Sequence, residues 1–299
     1  MTEASIPVDL FNPGQVFACL GLLEAANVLL GEAEGGFDWS DPAVTRFLFR
    51  ASGTESPVKV VLRFLAESNV VSIAPASTEL GTEDWAVPTR RLSSEAAYPI
   101  PLPNSPATLP AVFEVMNPDS PKQLTIDHWG DARNKTMRDN AKFWAGAGGY
   151  PGAALARDAL TLIRDRWHDA VDSPFELSAE QSSSFRFDWR RDYIPLDIGF
   201  SLNAHSGNRF STVGYPLVEL LAAIGLTHAR PQWVSKLEYR YGILGANGDQ
   251  RFFDPLFLRA ALGDSKLPFQ QRRFRMLLGW PGKENQARCI TTVTEEISR

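Results

Sequence analysis

A histidine flanked by two carboxylates is the most site-like cluster in the chain. His128 stands between Asp127 and Asp131 in the run DHWGD. Imidazole and carboxylate groups are common metal ligands, and a histidine beside a carboxylate can shuttle protons near neutral pH. The cluster is compatible with a metal-dependent phosphodiesterase centred on these three residues. The alternative, which the lack of a second ligand histidine favours, is a capped turn that carries a packed tryptophan.

Other catalytic signatures are missing from the sequence. The chain contains no GxSxG, HExxH or CxxC run and no phosphate-binding loop with its lysine. No second histidine stands four residues from His128. We therefore predict that the protein is not an enzyme, with no catalytic or metal-binding residues, and that it uses no cofactor.

A glycine-rich segment, residues 145–152 (AGAGGYPG), precedes a predicted helix. Glycine lets a phosphate approach the backbone N–H groups closely, and a helix N-terminus favours an anion. Asn140, Lys142, Gly148 and Gly149 are therefore secondary candidates for contact with a nucleic-acid backbone. The alternative is a bend at which two segments pack tightly.

Arginines alternate with aromatic residues in residues 185–193 (FRFDWRRDY), at the start of a stretch, residues 186–202, that carries the signals of a strand. Aromatic stacking combined with guanidinium contacts is a common way to hold nucleic-acid strands. Arg186, Arg190 and Arg191 are therefore candidate nucleic-acid contacts. The alternative is an amphipathic strand whose arginines pair internally with Asp188 and Asp192.

A second arginine cluster lies in residues 270–275 (QQRRFR), on a predicted strand. Glutamine and arginine make the best bidentate contacts with base edges. The candidate contacts in and near this strand are Lys236, Arg240, Arg272, Arg273 and Arg275. The alternative is an exposed edge strand that charge protects from pairing.

Charge divides the chain into two parts. Residues 1–185 hold 14 Lys and Arg against 24 Asp and Glu, a net charge of −10, whereas residues 186–299 hold 16 against 11, a net charge of +5. Arginine presents a planar fork of donors that suits phosphate and base edges. The C-terminal part is thus predicted to offer a basic face for nucleic acid, and a solvated surface with a chance bias is the alternative.

Helical and strand patterns are mixed along the chain. Asn12 and Pro13 predict the start of a helix that is apolar on all sides and therefore buried. Residues 46–51 and 272–280 are typical of strands, and residues 57–67, 151–171 and 215–226 of helices. The fold class predicted is α+β, with antiparallel strands and several buried helices.

The domain organisation predicted from these patterns has two parts, residues 1–185 and 186–299, which form either separate halves or one compact domain. The first part includes a Pro-, Ser- and Thr-rich segment, residues 75–110, that we predict to be a loop without strands. Residues 17–26 (FACLGLLEAA) echo residues 217–226 (LVELLAAIGL). The echo indicates either two related α+β halves or two unrelated buried helices.

No membrane span, signal peptide or disulfide scaffold is expected. The most apolar segment, residues 16–30, carries Glu24 and Asn27, and residues 1–10 hold two acids and no base. Cys19 and Cys289 have no metal-ligand spacing and fit a reducing compartment. We expect a cytoplasmic protein.

Four segments together resemble one protein family. They are residues 12–26 (NPGQVFACLGLLEAA), 143–152 (FWAGAGGYPG), 185–193 (FRFDWRRDY) and 214–217 (GYPL). They resemble a CRISPR-associated family of the type I-U system, also called type I-G, which is proposed as the counterpart of the large subunit. The resemblance extends from residue 7 to about residue 294, and it assigns no catalytic residues.

The resemblance implies a non-catalytic subunit of a guide-RNA-directed DNA surveillance complex used in antiviral defence. The partners it implies are other CRISPR effector subunits, the guide RNA, target double-stranded DNA and the recruited helicase-nuclease. In such complexes base pairing reads the target while protein reads a short flanking motif. This chain departs from most large subunits in being short and acidic, so we expect it to bind nucleic acid only once assembled, through its basic C-terminal part. A subunit that only bridges proteins is the remaining alternative.

Overall fold

The computed structural model describes residues 1–41, 43–93, 103, 105–115, 122–129, 149–181, 183–191, 212–245, 251–280 and 288–296. Within these ranges the helices are Pro13–Leu30 (α1), Pro57–Glu67 (α2), Gly152–Ile163 (α3), Pro216–His228 (α4) and Pro255–Leu262 (α5). The strands are Thr2–Pro7 (β1), Glu34–Asp38 (β2), Arg46–Ala51 (β3), Asn69–Ala74 (β4), Thr89–Arg91 (β5), Ala111–Glu114 (β6), Gln123–Ile126 (β7), Ala179–Glu180 (β8), Val213–Gly214 (β9), Gln232–Ser235 (β10), Glu238–Leu244 (β11), Gln271–Gly279 (β12) and Cys289–Glu296 (β13). The predicted α+β class is confirmed.

The described strands form mainly antiparallel sheets. One sheet has the order β1-β3-β2, and a second has the order β5-β4-β6-β7, in which β4 and β5 are parallel. A third is the antiparallel meander β10-β11-β12-β13, and β8 and β9 form a short ribbon. Bridges from β2 to Gly245 and Phe253 join the first sheet to the chain that follows β11.

The helix predicted to begin at Asn12 is buried on all sides from Pro13 to Ala26, and only its last turn is partly exposed. The Asn12 side chain accepts a hydrogen bond from the Gly14 N–H, and Pro13 occupies the first turn, where its missing N–H is harmless. By length and composition α1 could cross a membrane, but 83% of it lies inside the protein, as in a core helix. It contacts β3 and β7 and, through Phe17 and Tyr241, β11.

Glycines bring α1 and α4 into backbone contact. A Cβ atom on Gly21 would lie 1.8 Å from the Leu221 carbonyl oxygen, and one on Gly225 would lie 2.2 Å from that of Phe17. The helices therefore run antiparallel, and the two glycines occupy equivalent positions about the crossing. One hydrophobic cluster includes residues from both the acidic and the basic part of the chain.

The proline-rich segment, residues 75–110, contains a strand, so the prediction of a loop without strands is wrong. β5 runs parallel to β4 with Thr89 opposite Ser72. The hydroxyls of Ser72, Thr82 and Thr89 hydrogen-bond to one another and close the intervening loop. Contacts between distant hydroxyls leave no periodic pattern in the sequence, which is why so short a strand escapes prediction. Residues 94–102 and 104 lie outside the described residues.

Candidate nucleic-acid interface

The C-terminal sheet carries three of the predicted arginines on one face. Along β12, Phe274 and Met276 are buried, so Arg273 and Arg275 lie on the opposite face. Arg240 on β11 is directly opposite Arg275. We call Arg240, Arg273 and Arg275 the arginine face.

Each guanidinium of the arginine face is paired with a carboxylate of the same chain. The pairs are Arg240 with Glu296, Arg273 with Asp264, and Arg275 with Glu238. The Arg275–Glu238 pair is bidentate, with hydrogen bonds of 2.7 and 3.0 Å, and these bonds lower the pKa of Glu238. Burial raises the pKa of Asp264, against the effect of the Arg273 charge. Three cations and three anions leave this face close to electrical neutrality.

Arg272 lies on the other face of the sheet. Its guanidinium donates hydrogen bonds of 2.7 and 2.6 Å to Glu295 and lies 5.6 Å from the centre of the Trp39 ring. The hydrogen bonds from Arg272 lower the pKa of Glu295. Lys236 lies in the turn between β10 and β11, and its ammonium is 5.3 Å from the centre of the Trp280 ring. The sheet therefore does not bring all five predicted cations to one surface.

Arg190 belongs to a different part of the molecule. Its Nε and Nη2 atoms donate hydrogen bonds to the carboxylate of the fully buried Asp188. Its guanidinium also stacks on Tyr215, with the guanidinium carbon 3.3 Å from the ring centre. It also donates to the Phe175 carbonyl and to Glu176. Burial is the largest influence on Arg190 and lowers its pKa, but the hydrogen bonds to Asp188 and the charges of Asp188 and Glu176 act together in the opposite direction, and the pKa is raised. The internal pairing proposed as the alternative for this segment is thus present for Arg190.

A buried polar junction forms around Asp188. Asn12 donates a hydrogen bond of 2.9 Å from Nδ2 to Asp188, and Glu219 accepts the backbone N–H groups of Phe187 and Asp188. We call Asn12, Asp188, Arg190, Tyr215 and Glu219 the motif junction. It joins the start of α1, the start of α4 and the segment that precedes residue 192.

Residues 185–191 do not form the predicted strand. Arg186 is 6% exposed and has a left-handed backbone, with φ of +67°, and Trp189–Arg191 is a turn of 3-10 helix. The N–H groups that a neighbouring strand would bond are bonded by the Glu219 carboxylate instead. The prediction of a strand is therefore wrong for residues 185–191. The rest of the predicted strand, residues 192–202, lies outside the described residues. The side chain of Arg191 is likewise outside the description.

The glycine-rich segment is described only from Gly149 onward, so Asn140, Lys142 and Gly148 lie outside the described residues. Gly149 is exposed and adopts φ of +81°, a conformation that favours glycine. A Cβ atom on Gly152 would lie 2.5 Å from the Trp129 ring. Gly152 therefore serves tight packing, which was the alternative for this segment.

His128 lies in an aromatic cluster in the core. It is 2% exposed, and its ring centre lies 5.0 Å from that of Trp129 and 5.8 Å from that of Phe187. The Asp127 N–H donates to the Thr227 hydroxyl, and Asp131 lies outside the described residues. Within the described part of the chain, no three His, Cys, Asp or Glu side chains are grouped as ligands for a metal ion.

Buried carboxylates in apolar helices are the structural feature that the sequence patterns miss. Glu219 on α4 and Glu24 on α1 are at most 1% exposed. Glu24 receives two hydrogen bonds of 2.6 Å from Arg259 and lies 3.5 Å from His228 Nδ1. A single acid in a helix that is otherwise apolar indicates a buried partner elsewhere in the chain.

Comparison with protein-family models, curated proteins and solved structures finds no match for this chain.

Proposed function

We propose that the protein is a non-catalytic subunit of a type I-U CRISPR surveillance complex that is guided by RNA to target DNA. The observation that carries the proposal is the motif junction. Three of the four segments that resemble the family, those containing Asn12, Asp188 and Tyr215, meet there. Their side chains contact one another inside the protein, so the three segments belong to one structural unit, and this supports treating their resemblance to the family as a single feature.

The arginine face is the proposed contact with the phosphate backbone. The side chains of Arg240 and Arg275 are 38% and 43% exposed, so a phosphate could reach both guanidiniums. It would have to replace the carboxylates of Glu296 and Glu238, which already hold them. This competition makes binding by the isolated chain weak, and neighbouring subunits and the guide RNA supply the remaining contacts in the assembly.

A subunit that bridges proteins without touching nucleic acid is the second candidate. The neutralisation of the arginine face favours it, because long-range attraction of a polyanion requires an excess of positive charge. Acidic surfaces of the N-terminal part would then dock on neighbouring subunits. The two candidates share membership of the complex and differ in whether the arginines affect binding of DNA.

Co-purification tests membership of the complex. A tagged copy expressed in its native host should bring down the other effector subunits and a guide RNA. Recovery of neither would end the proposal. A nuclease assay with Mn²⁺, with His128→Ala as control, tests the prediction that the protein is not an enzyme, and divalent-dependent cleavage that this change abolishes would contradict it.

Salt dependence of DNA binding then separates the two candidates. The assembled complex is prepared with the wild-type chain, with Arg240→Glu and Arg275→Glu together, and with Arg63→Glu. Arg63 is the matched control because it is a half-exposed arginine paired with Glu55 on the distant helix α2. Loss of two phosphate contacts should reduce the slope of log K against log salt by about two. An unchanged slope in the double variant would favour the bridging subunit.

A further inference from the structure

Strand β13 has two halves that the fold holds to different degrees. Cys289 and Ile290 are buried, whereas residues 291–296 contain no buried side chain, and only Val293 among them is apolar and packs against the core. A shift in the register with β12 separates the two halves. Segments with few buried apolar contacts open at low free energy. Residues 291–296, called the acidic half of β13, are therefore the part of the strand that leaves the sheet at least cost.

The acidic half of β13 provides the carboxylates for two arginines on opposite faces of the sheet. Glu296 accepts a hydrogen bond of 3.0 Å from Arg240 Nε, which reaches it from β11 across the intervening β12. Glu295 accepts hydrogen bonds of 2.7 and 2.6 Å from Arg272. Among the described residues, neither arginine forms an ion pair within 4 Å with any other carboxylate. One short segment thus neutralises a guanidinium on each face.

Glu296 offsets a repulsion that the strand register builds into the arginine face. Arg240 and Arg275 lie directly opposite each other on β11 and β12, and like charges in that position destabilise a sheet. Glu238 binds Arg275, and Glu296 binds Arg240. If the acidic half of β13 leaves the sheet, the three cations of the arginine face keep only two carboxylates. The donors of Arg240 are then available to another anion.

We propose that the acidic half of β13 is an autoinhibitory segment of the arginine face. Glu296 covers Arg240, where a phosphate of nucleic acid would bind, and the Arg272–Glu295 pair is a latch that holds the segment from the opposite face. Phosphate binding therefore requires the acidic half to move aside. The inference rests on the proposed contact between the arginine face and nucleic acid, and it assigns Arg272 to regulation instead of to direct contact.

The latch predicts that removal of a cation strengthens binding. The full-length chain is titrated at low salt against labelled oligothymidylate and followed by fluorescence anisotropy. Arg272→Gln should bind about threefold more tightly than the wild type, since partly exposed ion pairs are worth factors of this order and the acidic half is released. Glu296→Gln should bind about fivefold more tightly, because Arg240 is uncovered. If Arg272 contacts nucleic acid directly, Arg272→Gln weakens binding instead, and the proposal is wrong.

Arg50 and Glu34 of the first sheet provide matched controls. Arg50 Nε and Nη2 also donate to one glutamate, at 2.8 and 2.6 Å, and both side chains are partly exposed. Arg50→Gln should not strengthen binding, and Glu34→Gln should change it less than about twofold, because distant surface charges are screened. Equal gains in Glu34→Gln and Glu296→Gln would show that net charge alone controls the affinity, and would overturn the proposal. Circular dichroism verifies that each variant is folded.

Hydrogen exchange locates the movement. In the Arg272→Gln variant without nucleic acid, the backbone amides of residues 291–296 should exchange faster than in the wild type, while those of Cys289 and Ile290 keep their rates. Unchanged exchange in residues 291–296 would show that the Arg272–Glu295 pair is no latch, and would overturn the proposal.

Failure of this proposal is distinguishable from failure of the proposed function. The proposed nucleic-acid contact fails if Arg240→Glu with Arg275→Glu leaves the salt slope of the assembled complex unchanged. Autoinhibition fails if that slope changes as expected while the isolated Arg272→Gln and Glu296→Gln variants bind oligothymidylate no more tightly than the wild type.

Discussion

Replacing Asp188 by asparagine removes the charge at the centre of the motif junction. The carboxylate accepts hydrogen bonds from Asn12 Nδ2 and from the backbone N–H, Nε and Nη2 of Arg190, all between 2.7 and 3.2 Å. Asparagine keeps one acceptor oxygen and turns the other position into a donor that faces donors of Arg190. The variant therefore leaves a largely buried guanidinium with only the exposed carboxylate of Glu176 as its counter-charge.

The expected loss of stability is large. Removal of one partner of a buried ion pair costs about 3–5 kcal/mol. The Arg190 side chain is 24% exposed, so water recovers part of this loss, and we expect about 3 kcal/mol. Proteins are commonly stable by about 5–15 kcal/mol, so the change should be plain in a urea unfolding curve followed by circular dichroism.

Two further variants make the result interpretable. Glu55→Gln is the matched control, because Glu55 also accepts two hydrogen bonds from one arginine, Arg63, but lies at the surface, where a much smaller change is expected. Arg190→Lys keeps the charge but loses the planar fork and the stacking on Tyr215, so its midpoint should fall between the two. If Asp188→Asn shifts the urea midpoint no more than Glu55→Gln does, the junction does not stabilise the fold as argued.

Three further changes probe the core. Gly225→Ala should lower stability by about 1–3 kcal/mol through overpacking where α1 and α4 cross. Gly263→Ala is the control and should cost about 0.5 kcal/mol or less, because its added methyl group would meet no atom closer than 3.6 Å. Thermal melting compares the two variants, and equal melting temperatures would contradict the close crossing. Burial lowers the pKa of His228 below its usual value, so the unfolded chain binds the proton first and stability should fall as pH drops below about 6.5. His228→Gln should flatten urea midpoints measured from pH 7 to 5.5, and an unchanged slope would refute this contribution. Glu24→Gln should cost about 2 kcal/mol, because it removes the main counter-charge of Arg259 but that side chain is 35% exposed and water recovers part of the loss. A urea midpoint equal to that of the wild type would show that the pair contributes nothing.

Local signals in the sequence were sufficient for several elements. The strand Arg46–Ala51 and the helix Pro57–Glu67 have the predicted bounds, and Pro57 stands in the first turn of its helix, although Ser56 makes no side-chain cap. α1 likewise follows from Asn12 and the apolar run after it. These elements are predictable because capping, proline placement and apolar spacing all act within a few residues.

The arginine pairs were not predictable because their partners are distant in the chain. Glu238 reaches Arg275 across 37 residues, and Glu296 reaches Arg240 across 56. The register of neighbouring strands decides which side chains lie close enough to pair, and the residue composition of a segment does not reveal that register. The clustered arginines therefore predict a basic strip, whereas the folded sheet carries a balanced set of ion pairs. Its role in binding nucleic acid stays a prediction.

The sequence could not show that alternating aromatics in residues 185–191 belong to an irregular segment. Phe185 and Phe187 are both buried, as in a half-buried strand, but Arg186 between them is buried too. The decisive contact comes from Glu219, which bonds the backbone of this segment from α4. A tertiary hydrogen bond to the main chain overrides the local pattern, and its donor and acceptor are about thirty residues apart.

The close crossing of α1 and α4 has a consequence for biosynthesis. During translation α1 leaves the ribosome roughly 200 residues before α4 exists, and at about 5–20 residues per second that interval is about 10–40 s. Throughout it the face of α1 that packs on α4 is uncovered, because Gly225 and the helix that carries it have not yet been made. The nascent chain is therefore exposed to aggregation until the second helix arrives, so slowed elongation or loss of a holding chaperone should lower the yield of folded protein before any mature contact is weakened.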